Sequence, residues 1–393
     1  MTGLEGWHRP MLVVAGAMAV AAVGSAIGLV VDGRVLLGVP IWLKPFKFAV
    51  SIALYGVAWS WLYSLLTRGR RSASAVSNLV VVCLVVEYVV IVAQVVRGRP
   101  SHFNVSTPLD ATLWAVMGIS IVVLWLGTFV LTAQVLRAGV ADPGVRAGIR
   151  VGAVIALVGL ALGFLMTSPN RTQLAGMEAG TAPTAIGAHT VGRPDGGPGM
   201  PLTGWSTVGG DLRVAHFVGM HALQSLPLLA MGLALLGARG GRLADPDTRR
   251  RVVLVLGAGY AALVALLTWQ AERGQPLLHP DGRTLGALAV LTAVLIAALI
   301  AVLIGALAPF REQRRAGGGP GRALRLIDRS DAGVGVAYPV AAGSRTTGGV
   351  GRRTAPATPP PAPTNGRSPR RRGAAGGCAS APGGRAARGR CPE

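Results

Sequence analysis

Apolar residues along this chain fall in long blocks, separated by short stretches that collect arginine, glycine, proline and aspartate. Helices of about 18 or more such residues cross a hydrocarbon core of about 30 Å. Blocks of that kind lie near residues 11–31, 46–66, 78–96, 111–136, 149–166, 214–237, 252–271 and 284–308. The pattern predicts an all-α fold, a polytopic membrane bundle of about eight transmembrane helices spanning residues 1–308. The first block follows Arg9 and contains Gly24-Ser25-Ala26, features shared with signal peptides. Its length exceeds an ordinary signal core of about 7–15 residues, so it is read as a retained span.

Composition agrees with the pattern. Charged residues make up 14% of the chain and hydrophobic ones 51%, where a soluble domain carries about 25% charged residues. A soluble enzyme, a wholly disordered chain and a disulfide scaffold are all excluded. The three cysteines, Cys83 within a block and Cys378 and Cys391 near the C-terminus, form no framework.

Charge divides the chain in two. Residues 309–393 hold sixteen arginines against Glu312, Asp328, Asp331 and Glu393, so +12 of the formal +22 lies there. Rich in Gly, Pro, Ala and Arg, this tail cannot bury a core and is expected to be disordered. Its natural partner is anionic lipid headgroups, with nucleic acid the weaker alternative. Eleven further arginines sit in the short connections 67–77, 137–150 and 238–251. The positive-inside rule therefore predicts a cytoplasmic (inner) membrane protein with both termini inside. Connections 32–45, 97–110, 167–213 and 272–283 then face outward, together with five of the six histidines. The connection 167–213 carries ten Gly and five Pro. A stretch of that length is read as a lid, a binding loop or slack linker. No internal repeat is visible, so an inverted-repeat transporter gains no support.

Candidate chemistry concentrates near the outer side. The chain has 36 Arg and only two Lys, and both lysines occur in Lys44-Pro45-Phe46-Lys47-Phe48. A position needing positive charge alone would accept Arg, so these favour a compact ammonium on a flexible stem. A helix starting near Phe46 puts Lys47 in its first turn, where the macrodipole disfavours a cation. Glu87 is the one acid well inside a block, and Gln94 follows on nearly the same face. A mid-membrane carboxylate is protonated, paired or wet. Beyond it come Arg97, His102 and Asn104, then Thr107-Pro108-Leu109-Asp110, a well-formed helix start. The block after Asp211 carries His216, His221 and Gln224, and Pro227 is expected to kink it beside Gln224.

The segments Lys44 to Phe48, Ser101-His102-Phe103-Asn104, and His216-Phe217 through His221 to Gln224 resemble those of uncharacterised bacterial multi-pass membrane proteins. The likeness covers about residues 40–230. It implies shared site segments and carries no activity with it.

Three functional readings follow. The first is a binding or transport protein whose outer pocket is lined by Lys44, Lys47, Glu87, Gln94, Arg97, His102, Asn104, His221 and Gln224. Such a pocket suits a small polar or anionic ligand, or protons. The second is a metal enzyme with His102, His216 and His221 as ligands and Glu87 as base. The third is haem or quinone redox chemistry. The sequence settles neither a cofactor nor whether the protein is an enzyme. The first reading expects Lys47, Glu87, Gln94 and His221 to line one cavity opening outward.

Overall fold

The computed structural model describes residues 4–305, and within them the protein is mostly helical. The expected disordered tail, residues 309–393, lies outside the described residues. The long helices are α1 (Arg9–Val31), α2 (Leu43–Ser64), α3 (Arg70–Val96), α4 (Pro108–Val135) and α5 (Pro143–Leu162). A short α6 (Arg171–Glu178) precedes α7 (Leu212–Met220), α8 (Ala222–Gly237), α9 (Pro246–Glu272) and α10 (Gly282–Gly305). Several starts share one design. Thr107, Asp142 and Asp245 each accept a bond from a first-turn N–H, with Pro108, Pro143 and Pro246 next in line. Proline is harmless there because its missing N–H would have had no helical partner.

Among the described residues, six helices are long and apolar enough to cross a membrane, or seven if α7 and α8 form one broken span. Each of the eight apolar blocks falls on one of these helices or on α2. That helix carries Lys, Trp, Tyr and Ser, and it is not apolar enough by composition to be counted among the six. Its polar groups are answered inside the bundle. Trp59 donates to Ser77 at 2.7 Å, Tyr55 pairs with Thr128 at 2.8 Å, and Ser60 donates to the His8 carbonyl at 3.0 Å. By contrast, α10 buries only Thr284 and exposes Val290, Val294, Ile296, Ile300 and Ile304.

Connections 32–42, 97–107, 163–211 and 273–281 meet at one end of the bundle. The longest is not a structureless linker. Asn170 and Gln173 form a reciprocal cap on α6, and strand β3 (Thr190–Val191) pairs antiparallel with β4 (Gly210–Asp211). Asn104 bridges to Ala185, and Phe103 accepts a backbone bond from Ile186 at 2.8 Å. The carboxylates of Asp195 and Asp211 gather the loop's N–H groups.

Helix α5 supports the broken span through a face of small residues. A Cβ on Gly148 would lie 2.7 Å from the Leu226 carbonyl oxygen, and one on Gly152 would lie 2.5 Å from that of Ala222. At Gly159 the added atom would be 2.3 Å from the backbone of Gly219 and Met220. Close backbone approach through small residues is the usual packing device where lipid leaves no hydrophobic drive between helices. The kink expected beside Gln224 sits earlier. The chain bends by 45° between Met220 and Ala222, and Pro227 lies inside a continuous α8. The break falls where α7 is pressed against Gly159, so packing places it rather than the proline.

Gly159→Ala should therefore destabilise the detergent-solubilised protein by about 1–3 kcal/mol, as overpacking does. Gly24→Ala, where an added Cβ meets nothing, should be neutral or mildly stabilising. Thermal unfolding of the two variants checks this, and equal tolerance would remove the backbone contact from the account.

Candidate functional site

Two chambers lie under the loop-rich end, one above the other. The upper, of about 170 Å³, is lined by Lys44 and Lys47 from α2, by Arg99 and His102, and by His189, Asp195 and Arg213. The lower, of about 450 Å³, is lined by Ser51 and Tyr55 from α2, Glu87 from α3, and mainly apolar residues of α4 and α5. Phe48, His102, Phe103, His189, His216 and Phe217 border both. Phe103 reaches that wall from a backbone with φ +63°, a conformation rare for a bulky residue, and packs edge-on to His189 at 4.7 Å.

Helix α2 begins at Leu43, three residues before the expected Phe46, so both lysines stand near its N-terminus. Lys47 donates to the Thr203 carbonyl at 2.5 Å, holding the loop over the upper chamber. The Lys44 ammonium lies 5.9 Å from the centre of the Phe48 ring. Neither lysine forms an ion pair among the described residues. Arg213 differs, since Asp211 binds it at 2.6 Å and neutralises it. Lys44, Lys47 and Arg99 therefore share the upper chamber with one carboxylate, Asp195, which His189 already engages.

Burial disfavours a charge on the loop imidazoles here. Burial holds His102 well below the usual imidazole range, and the nearby Lys44 adds to the effect. Burial also lowers His189, against the opposing pull of Asp195. Asp195 itself, which burial alone would raise, is held below the carboxylate range by His189 and the backbone of the β3 strand. His189 Nδ1 lies 2.6 Å from Asp195, and His216 Nδ1 lies 2.8 Å from the Gly159 carbonyl. A carbonyl only accepts, so His216 donates from Nδ1.

The expected pocket residues separate into groups. Lys44, Lys47, Glu87 and His102 line the two chambers. Gln94 and Arg97 do not; Asp110 receives both, at 2.9 and 2.7 Å, in a network joining the end of α3 to the start of α4. Asp110 is thus more than a cap, because it is wholly buried and also accepts from Thr107 at 2.7 Å. Asn104 braces its own loop, donating to the Pro100 carbonyl and accepting from Ser106. His221 sits at the helix break, 3.4 Å from Ser51. Gln224 lies one turn further, its carbonyl oxygen buried without a partner among the described residues. His221 and Gln224 line neither chamber. With His221 turned away, His102 and His216 lack their expected third ligand. No three His, Cys, Asp or Glu side chains gather for a metal among the described residues.

Sequence reasoning missed His189, Asp195 and Arg213 as a set. Six residues separate His189 from Asp195 in a Gly- and Pro-rich loop, and only the folded turn makes them partners.

Glu87 is the exceptional group. It is 2% exposed, and neither carboxylate oxygen has a hydrogen-bond partner among the described residues. An ionised carboxylate between such walls is unsolvated unless water or a ligand group joins it. Two buried acids thus predict opposite outcomes. Asp110→Ala should lower stability by about 2 kcal/mol or more, because it strands Arg97 and Gln94. Glu87→Gln should stay within about 1 kcal/mol of the parent or exceed it. Thermal unfolding of both variants checks the contrast, and a large loss for Glu87→Gln would reveal a native partner. No protein-family model, curated protein or solved structure matches the chain, so its function is read from this geometry.

Proposed function

We propose that the protein is a multi-pass component of the cytoplasmic membrane, with eight membrane-crossing units and both termini inside. In this reading it binds a small anionic ligand in the upper chamber, for uptake or export. Arginine in the connections opposite the loop-rich end supports the orientation, placing the chambers on the outer side. One observation carries the ligand class. Lys44, Lys47 and the more exposed Arg99 line a cleft that offers them a single carboxylate in return, and Asp195 is already engaged by His189.

Uncompensated cations in a low-dielectric cleft raise the local concentration of anions and hold them once desolvated. A carboxylate or phosphate reaching Lys44 would gain charge-assisted bonds worth about 1.5–3 kcal/mol each. Lys44 is the ligand's first contact, because Lys47 already donates to the Thr203 carbonyl. Binding that draws Lys47 away from Thr203 would release the loop over the chamber. His102, His189 and His216 supply adaptable donors or acceptors.

Inorganic phosphate, sulfate and acetate, each compared with chloride at constant ionic strength, test the reading. At least one should raise the unfolding temperature of the purified protein with a saturable dose response. Lys44→Gln should weaken that response about tenfold or more, and Lys44→Gln with Lys47→Gln should remove it. An unshifted transition with every anion, or a full response in the double variant, would contradict the proposal.

A further inference from the structure

The two chambers differ in chemistry in a way that a small anion alone does not explain. The upper is cationic. The lower is larger and mainly aromatic and aliphatic, and its polar groups are few. Tyr55 is engaged by Thr128 and Ser51 by His221, which leaves Glu87 as the buried group without a partner. Phe48, His102, Phe103 and Phe217 line both, so the two spaces adjoin.

The lower chamber also opens in an unusual direction. Ala115, Gly118, Val122 and Trp125 recur at helical spacing along α4 and line it, facing Leu160, Gly163 and Phe164. Ala115 and Val122 belong to the lining and are also exposed on the outside of the bundle. The chamber therefore reaches the side of the bundle between α4 and the end of α5, where a membrane protein meets lipid. Below the gap, Trp125 donates to the Leu157 carbonyl at 3.1 Å and ties the two helices together. Gly118 lies ten residues into α4, about 15 Å below its loop-rich end, close to mid-membrane depth.

We infer that the ligand is a single-chain anionic amphiphile, a long-chain carboxylate or alkyl phosphate. Its head lies by Lys44 and Lys47, and its chain runs through the lower chamber and reaches lipid between α4 and α5. This rests on the anion-binding reading above and adds to it the chain and the lateral route. A head at the interface with its chain pointing to the midplane is how an outer-leaflet lipid already lies, so entry needs no inversion. The chain also gives the apolar walls an occupant that water cannot be. The Glu87 carboxyl, which has no hydrogen-bond partner among the described residues, would then lie beside that chain.

Gly118 supplies the test, because an added Cβ there meets nothing within 4 Å. Gly118→Leu adds apolar bulk to the wall of the lower chamber at a position where the Cβ meets nothing, and replaces a poor helix former with a good one. Gly24→Leu, exposed on α1 and equally unobstructed, controls for the added leucine. The full chain is reconstituted in nanodiscs, and unfolding is followed with inorganic phosphate, dodecyl phosphate and dodecanol. In the parent and Gly24→Leu proteins, dodecyl phosphate should act at concentrations at least about tenfold below inorganic phosphate, and dodecanol should be weaker than dodecyl phosphate. Gly118→Leu should keep the phosphate response and lose the advantage of the chain. If dodecyl phosphate matches inorganic phosphate, or Gly118→Leu responds to it as the parent does, the amphiphile is overturned while anion binding stands. If no anion acts on the parent protein, the anion reading fails and the amphiphile falls with it.

Discussion

The backbone contact between Gly159 of α5 and Gly219 of α7 is the constraint on which the site depends. It lets a helix end and restart inside the bundle. With no side chain between them, α7 lies close enough for His216 to bond the Gly159 carbonyl at 2.8 Å. The same approach sets the 45° bend before α8. Tyr260 of α9 holds the other side, donating to the Val218 carbonyl at 2.6 Å just before the break. His216 and Phe217 are thereby fixed in the wall between the two chambers. Moving α7 outward by one methyl group would shift this wall as a unit.

Around that frame, almost every buried charge is answered. Asp110 takes Arg97 and Gln94, Asp211 takes Arg213, and Asp142 both caps α5 and binds Arg249 at 2.6 Å. Such pairing is expected where an unpaired buried charge is expensive. Against this background, Lys44 without a carboxylate and Glu87 without any donor stand out. Local folding explains neither. A ligand with a negative head and an apolar chain would explain the cation and the dry walls together, and the small residues of α4 give it a side entrance.

Much of the fold was legible because hydrocarbon imposes long apolar blocks on a helix. The blocks found α3 and α9 to within about two turns at their starts, and Thr107-Pro108 and Asp211 marked true helix starts. The site was legible only in part. Lys44, Lys47, Glu87 and His102 drew notice because each residue type is costly or scarce where it stands, and each lines a chamber. Gln94 and Arg97 drew notice for the same reason and have a structural role, since helical periodicity gives a face and not the partner across it. His189 with Asp195 could not be read, because their pairing comes from a loop's tertiary path. Pro227 misled as to the kink, because the contact that decides it lies on a different helix, at Gly159.

In the proposed binding mode one ligand occupies both chambers at once. An experimental structure of the protein in a lipid nanodisc, saturated with dodecyl phosphate, tests it most directly. The account predicts a single elongated density with its head within ion-pairing distance of the Lys44 ammonium. Its tail should pass Glu87 and Gly118 and end between Val122 and Phe164. Density confined to the upper chamber, or a lower chamber closed by α4 meeting α5, would contradict it.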